Sequence, residues 1–105
     1  MRRLALVVAA AALAGCSDAP SGSTTAGAER GRQIYLSQCI SCHGPDPATA
    51  GPIGPPIKGS RPEVIESKVV RGTYPPGYTP KRPTTAMPPL PALAPDVAAL
   101  AEFLK

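Results

Sequence analysis

Aromatic residues are scarce in this chain of 105 residues, which has no tryptophan, one phenylalanine and three tyrosines. The length sets one domain as the upper limit. A chain this short buries little apolar surface, and domains of this size usually depend on disulfides, a metal, a cofactor or a partner. The shortage of large side chains therefore indicates that something other than side chains fills part of the core.

The chain also lacks a concentration of charge of one sign. Its net charge is +4, and Arg2 and Arg3 lie in a segment that we expect to be removed. Without these two residues, the 11 Lys and Arg fall to 9, against 7 acidic residues. No basic stripe interleaved with aromatic residues is present, so the sequence does not indicate nucleic-acid binding.

No apolar run reaches the roughly 20 residues that a membrane-spanning helix needs. The longest run, Leu4–Ala14, follows a short basic start, a pattern typical of a secretory signal. It ends in Leu-Ala-Gly-Cys16, which resembles the lipobox of bacterial lipoproteins. The resemblance implies that residues 1–15 are a lipoprotein signal peptide and that Cys16 carries the acyl chains. The alternative is an ordinary signal peptide and a stray thiol at Cys16.

A segment rich in Ser, Gly, Ala and Thr follows the lipobox, from Ser17 to Ala28. Such a composition is typical of a flexible tether. We therefore predict three parts: the signal, a lipidated cysteine with its tether over residues 16–28, and a globular domain over residues 29–105. The predicted location is the periplasmic side of a bacterial membrane, held there by the lipid anchor.

The other two cysteines lie in Cys39-Ile-Ser-Cys42-His43, the C-x-x-C-H attachment signature of c-type haem. Two thiols three positions apart can each form a thioether with one haem vinyl group, and the adjacent His43 can ligate the iron. A thioredoxin-like motif would need a strand before it, and a zinc knuckle would need four ligands. A Cys39–Cys42 disulfide is geometrically possible but leaves His43 without a purpose.

The second axial ligand follows by elimination. His43 is the only histidine, which excludes bis-histidine ligation within one chain, and Met87 is the only methionine left after Met1 is removed. Prolines after Met87 stiffen its loop and lower the entropy cost of holding a sulfur at the iron. The alternatives are a Met87 that merely fills the core, Lys68 or Lys81 as ligand, or a vacant site.

Three helices are predicted from the pattern of residues. The first covers Glu29–Gln38, and the second begins with Ser60 as N-cap, with Glu63 completing a capping box, and stops at Gly72. The third runs from about Pro95 to the end, with one apolar stripe at the helical spacing formed by Val97, Leu100, Ala101 and Leu104. No stretch alternates with period two, so no sheet of consequence is predicted.

From residue 31 to the C-terminus the chain resembles the small class I cytochromes c. Gly31, Tyr35 and Cys39 are spaced by four, like the glycine, aromatic and first cysteine of that family's N-terminal helix. The segment 54–59 resembles its Gly-Pro-x-Leu-x-Gly loop, and Met87 followed by proline resembles its methionine loop. The resemblance implies an all-α fold, with three main short helices and long Pro-rich loops around one covalently bound haem c.

The resemblance also implies contacts for particular residues. Gly31 permits two helices to cross closely, and Leu100 and Phe103 pack over Tyr35. The carbonyl of Pro55 accepts a hydrogen bond from His43, unless the loop is only a surface turn. Five side chains are either candidates for binding the haem propionates or solvated loop residues: Arg71, Tyr74, Tyr78, Lys81 and Arg82.

If His43 and Met87 both bind iron, no coordination position is left for oxygen, peroxide or substrate. The sequence therefore predicts a one-electron carrier, not an enzyme, with redox proteins as partners and no small-molecule substrate. Two alternatives remain. The protein is a fixed subunit of a periplasmic oxidoreductase complex, or it is a haem enzyme or sensor with an open sixth site.

Overall fold

A computed structural model describes residues 25–105, and the lipobox and Cys16 lie outside this range. Four helices follow in order: α1 (Ala26–Gln38), α2 (Ile40–His43), α3 (Pro62–Ile65) and α4 (Val97–Phe103). A π-helical turn, Glu66–Val70, continues α3, and a 3-10 helix, Pro91–Asp96, precedes α4. No strand occurs within residues 25–105, and the predicted all-α class is confirmed.

Helix α1 begins three residues earlier than the sequence predicted. Thr25 caps it, because its hydroxyl accepts a hydrogen bond from the Ala28 amide at 3.0 Å. Residues 26–28 therefore belong to the helix and not to the predicted tether. The signal for this start was a threonine at the N-cap position followed by two alanines and a glutamate in the first turn, inside a segment whose overall composition is typical of a linker.

Helices α1 and α4 cross at Gly31. A Cβ atom there would overlap the carbonyl of Ala99, so only glycine allows this approach. The crossing buries Tyr35 completely and leaves Leu100 only 2% exposed, while the rings of Tyr35 and Phe103 lie 5.3 Å apart. Burying a side chain such as Leu100 contributes about 1.5–3 kcal/mol. The predicted packing of the two terminal helices is confirmed.

The predicted capping box at α3 is wrong. The hydroxyl of Ser60 donates to the carbonyl of Ile57, so it is not available to the helix, and Arg61 occupies the N-cap position. Pro62 lies at the first helical position, where its missing N–H costs nothing. The helix stops at Gly72, as predicted, with φ of +72°.

The predicted apolar stripe of the third helix is present in α4. Leu100, Ala101 and Leu104 are buried and pack with Ile34, Tyr35 and Ile65 in one cluster. Among residues 25–105, no helix has the length and apolar character that crossing a membrane requires.

Candidate functional site

A cavity open to solvent lies between α2, helix α3 with its π-helical turn, and the loops that follow them. Its walls come from distant parts of the chain: Cys42, His43, Ile53, Gly54, Pro55, Ile57, Ser60, Val64, Lys68, Val69, Tyr74, Tyr78, Lys81, Arg82, Thr84, Ala86, Met87 and Leu104. The structure thus brings His43 and Met87, which are distant in sequence, to one cavity.

The two thiols and the histidine lie on one tight turn between α1 and the cavity. The amide of Cys39 donates to the Tyr35 carbonyl at 2.9 Å, and the amide of His43 donates to the Cys39 carbonyl at 2.9 Å. Gly44, with φ of +78°, then ends the turn. Cys39 and Cys42 are not bridged. Between residues 25 and 105, no group of three or more His, Cys, Asp or Glu side chains could hold a metal ion.

The environment of Cys39 disfavours the thiolate form of its side chain. Burial raises its pKa to about 11, and the neighbouring Cys42 adds to this increase. Reactive cysteines have the opposite property, a pKa lowered by positive charge or a helix N-terminus. The site therefore does not resemble a dithiol redox motif.

His43 is held by one of its two ring nitrogens. The residue is 8% exposed, and its Nδ1 lies 2.9 Å from the carbonyl oxygen of Pro55. Because a carbonyl only accepts, Nδ1 must carry the proton and donate it. No hydrogen bond to Nε2 is formed by the described residues, so this nitrogen is available to a ligand in the cavity. The hydrogen bond itself is the one expected from the sequence.

The loop that carries Pro55 is packed directly against the histidine. The amides of Ile53 and Gly54 both donate to the Cys42 carbonyl, at 3.1 and 2.8 Å. A Cβ atom at Gly54 would lie 2.5 Å from Nδ1 and Cε1 of the His43 imidazole. The ring therefore packs against glycine backbone on one side, which fixes its plane.

Tyr35 supports the same turn from the other side. Its buried hydroxyl donates to the carbonyl of Gly44 at 2.6 Å, one residue after His43. Burial raises the pKa of Tyr35, and the charges of Cys39 and Asp46 raise it further. The hydroxyl thus remains a donor across the neutral range.

Met87 lies in a loop whose residues are mostly exposed, and it is itself half-buried where it lines the cavity. The two lysines considered as alternative ligands have other contacts. The Lys68 ammonium lies 4.5 Å from the centre of the Tyr74 ring, and Lys81 donates to the Pro56 carbonyl at 2.7 Å. Met87 is therefore the candidate soft ligand whose side chain is not engaged elsewhere in the described residues.

Four of the five candidate propionate partners line the cavity: Tyr74, Tyr78, Lys81 and Arg82. The rings of Tyr74 and Tyr78 stack at 5.2 Å, which fixes the first part of their loop. Arg71 does not line the cavity, because its guanidinium bonds to Glu66 and Ser67 on its own helix. The cavity wall carries three cations and no carboxylate.

The apolar wall of the cavity is formed by Ile53, Ile57, Val64, Val69 and Leu104, and sequence reasoning did not predict that the two loop residues, Ile53 and Ile57, join the helix residues there. Ile53 is 59% exposed, so part of this wall reaches the surface. The residues are scattered over 52 positions of the chain, and no local pattern links them. Only the fold shows that they share a surface.

These residues fit a haem group. Two unbridged thiols and an imidazole lie on one turn, the free imidazole nitrogen belongs to a residue of the cavity wall, and a thioether side chain lines the same mostly apolar cavity. Thiols, imidazole and thioether are the groups that hold haem c. The helical fold and this site together define a c-type cytochrome.

The chain belongs to the family described as cytochrome c oxidase, cbb3-type, subunit III, whose model matches residues 26–104. No curated protein and no solved structure shows significant similarity to it. Membership of this family identifies an all-α cytochrome c domain that binds haem c and transfers electrons to and from redox protein partners, rather than a catalytic enzyme.

Proposed function

We propose that the protein is a membrane-anchored, mono-haem cytochrome that carries single electrons. In this proposal Cys39 and Cys42 attach the haem through thioethers, and His43 and Met87 ligate its iron. The observation that carries the proposal is that the fold brings His43 and Met87 to the same cavity, with Nδ1 of His43 already occupied by Pro55.

Haem supplies one-electron exchange between ferric and ferrous iron when it is bound. The chain's own residues set the conditions for that exchange. The Pro55 carbonyl fixes the His43 tautomer so that Nε2 faces no competing proton. Pro88 and Pro89 restrict the backbone beside Met87. With both ligands bound, no position stays open for a substrate.

The apolar side chains and the cationic side chains that line the cavity have separate roles. Side chains such as Ile57 and Leu104 keep water from the cavity, which limits solvent rearrangement when the charge of the iron changes. Lys81 and Arg82 supply positive charge for the propionates, and Tyr74 and Tyr78 supply hydroxyl donors.

The proposed location rests on the sequence. Cys16 in its lipobox, outside the described residues, would carry the acyl chains at the periplasmic side of a bacterial membrane. Two or more chains make anchoring stable. A tether of a few residues then keeps the haem domain near membrane-bound redox partners and raises its effective concentration there.

An absorption spectrum of the oxidised protein tests the ligation. We expect a low-spin spectrum with a far-red methionine–iron charge-transfer band, and loss of that band in Met87→Ala. Thr85→Ala, an exposed change in the same loop, is the control and should keep the band. The intact mass should exceed polypeptide and lipid by one haem. A high-spin wild-type spectrum would instead support an enzyme or sensor with an open sixth site.

A second candidate is a fixed subunit of an oxidase complex, and the description of the family favours it. Three large apolar side chains are exposed and available to a permanent interface: Leu36, Ile40 and Ile53. Membrane fractions of a variant in which an ordinary cleavable secretory signal replaces residues 1–16 separate the candidates. A carrier anchored only by lipid is released into the soluble fraction, whereas a fixed subunit stays in the membrane and co-purifies with its complex.

A further inference from the structure

The loop that carries Met87 is attached at both ends to one short segment. This loop runs from Thr73 to Leu90. The amide of Thr73 donates to the Ser67 carbonyl at 3.1 Å, and the amide of Leu90 donates to the Val69 carbonyl at 2.6 Å. Both acceptors belong to the π-helical turn Glu66–Val70.

The end of the helix leaves the Val69 carbonyl for the methionine loop. Gly72 makes the single bond of an αL glycine cap, from its amide to the Lys68 carbonyl at 3.1 Å. The amide of Thr73 reaches further back to the Ser67 carbonyl, as the wider π-helical turn allows. Neither amide bonds to Val69, so the Val69 carbonyl accepts from Leu90.

The glycine cap also touches the methionine loop directly. Gly72 has φ of +72°, and a Cβ atom there would lie 3.4 Å from Cβ of Pro89, two residues after Met87. The cap and the proline ring are thus in van der Waals contact, and a side chain that extends beyond Cβ has little room there. The segment after Met87 is therefore located by one hydrogen bond and one packing contact, both from residues 66–72.

We propose that the π-helical turn and its cap Gly72 position Met87 for ligation. This inference rests on the proposed His/Met ligation and adds the positioning residues that the ligation requires. A loop of this length would otherwise sample many positions, and its two attachments to neighbouring carbonyls close it into a compact unit. Π-helical turns often occur at functional sites, which agrees with this assignment.

Gly72→Val in the holoprotein tests the proposal. Valine is strained at positive φ and meets Pro89, so the cap must move and Met87 becomes easier to displace. We expect imidazole, added as a competing ligand and followed through the far-red band, to bind about tenfold more tightly than to the wild type. Its apparent affinity rises with the fraction of molecules in which Met87 is detached.

The chain offers matched controls for backbone strain. Gly59 and Gly77 have φ of +82° and +78°, and a Cβ atom at either would meet nothing within 4 Å. Gly59→Val and Gly77→Val therefore carry the same strain without the contact to Pro89, and Gly77 lies in the methionine loop itself. Both should bind imidazole like the wild type. Adding Pro89→Ala to Gly72→Val should recover part of the change, as a double-mutant cycle would show.

Equal imidazole affinity in Gly72→Val and Gly77→Val would overturn the positioning role. If Gly72→Val does not fold, Gly72→Asn against Gly77→Asn gives the same comparison with less strain, because asparagine tolerates positive φ and still extends beyond Cβ. A wild-type protein without the far-red band would refute the ligation by Met87 and, with it, this inference. If the wild type has the far-red band but all the variants bind imidazole equally, the positioning inference is refuted and the ligation by Met87 stands.

Discussion

The two sides of the cavity that carry the proposed ligands differ in how they are built. The histidine wall consists of the turn with His43 and the loop with Pro55, and the methionine side is the loop from Thr73 to Leu90. His43 is buried, lies on a turn between two helices, and is fixed by Pro55, by the glycine backbone and by the Tyr35 hydroxyl beyond it. Met87 is half-buried in an exposed loop and is located through its neighbours, chiefly the bond from Leu90 to Val69. His43 is part of the packed interior, whereas Met87 is positioned indirectly, by contacts at the two ends of its loop.

This difference teaches that the two ligands should respond differently to the same disturbance. A change near His43 alters packing in the interior and should lower global stability. A change near Met87 should open the loop locally while the helices stay folded. The histidine wall therefore contributes mainly to the stability of the fold. Competing ligands should displace Met87 more easily than His43.

The largest effect should come from removing the two cysteines that would attach the haem, because both sides of the cavity would contact the haem. In Cys39→Ala/Cys42→Ala we expect most of the helical circular dichroism to be lost. Residues 25–105 bury only seven hydrophobic side chains, and a group that binds only the folded state adds its binding free energy to stability. Ser41→Ala, between the two thiols, should keep the wild-type signal. A double variant as helical as the wild type would show that both walls form without haem.

The next largest effect should appear on the histidine wall. Gly54→Ala places a Cβ atom 2.5 Å from the imidazole and should lower the free energy of unfolding by about 1–3 kcal/mol. The control is Gly27→Ala in the first turn of α1, where the new atom would lie 3.7 Å from its nearest neighbour, Cγ of Glu102. Denaturant unfolding of the two holoproteins measures the difference. Equal stabilities would mean that the wall is not rigid.

Two hydrogen bonds of nearly equal length sharpen the comparison further. Tyr35→Phe removes a buried bond of 2.6 Å and leaves the Gly44 carbonyl unsatisfied, so we expect a loss of about 1–3 kcal/mol. Lys81→Ala removes an exposed bond of 2.7 Å from the methionine loop to the Pro56 carbonyl and should change stability by less than about 0.5 kcal/mol. The reverse order in thermal or denaturant unfolding would contradict the difference between the walls.

The smallest effect concerns pH and the same tyrosine. Burial raises the pKa of Tyr35 above its ordinary 10.0, so the folded protein holds this proton more tightly than the unfolded chain does. Above pH 10.0 the unfolded chain releases the proton first, and stability falls as pH rises towards the folded pKa. Tyr35→Phe should therefore lose less stability in this range than the wild type. Identical slopes in the two proteins would show that the Tyr35 hydroxyl titrates as it does in water.

Local patterns predicted those parts of the structure that depend on neighbours in sequence. The C-x-x-C-H turn, the apolar stripe of α4 and the stop at Gly72 each follow from spacing within one or two turns of helix. The capping box at Ser60 failed because the hydroxyl found a nearer acceptor, the carbonyl of Ile57. A local rule states which bond is possible, and the surrounding fold decides which competing bond forms.

The amino-acid sequence by itself determined the class of this protein, because the C-x-x-C-H attachment motif and the single histidine leave few chemical choices. The tertiary structure alone decided which distant residues meet. It brought Met87 to the cavity of His43, laid Gly54 against the imidazole, and produced a π-helical turn that no propensity in Glu66–Val70 announces. The physical reason is that these contacts join segments far apart in the chain, and their energies exist only once the helices have packed.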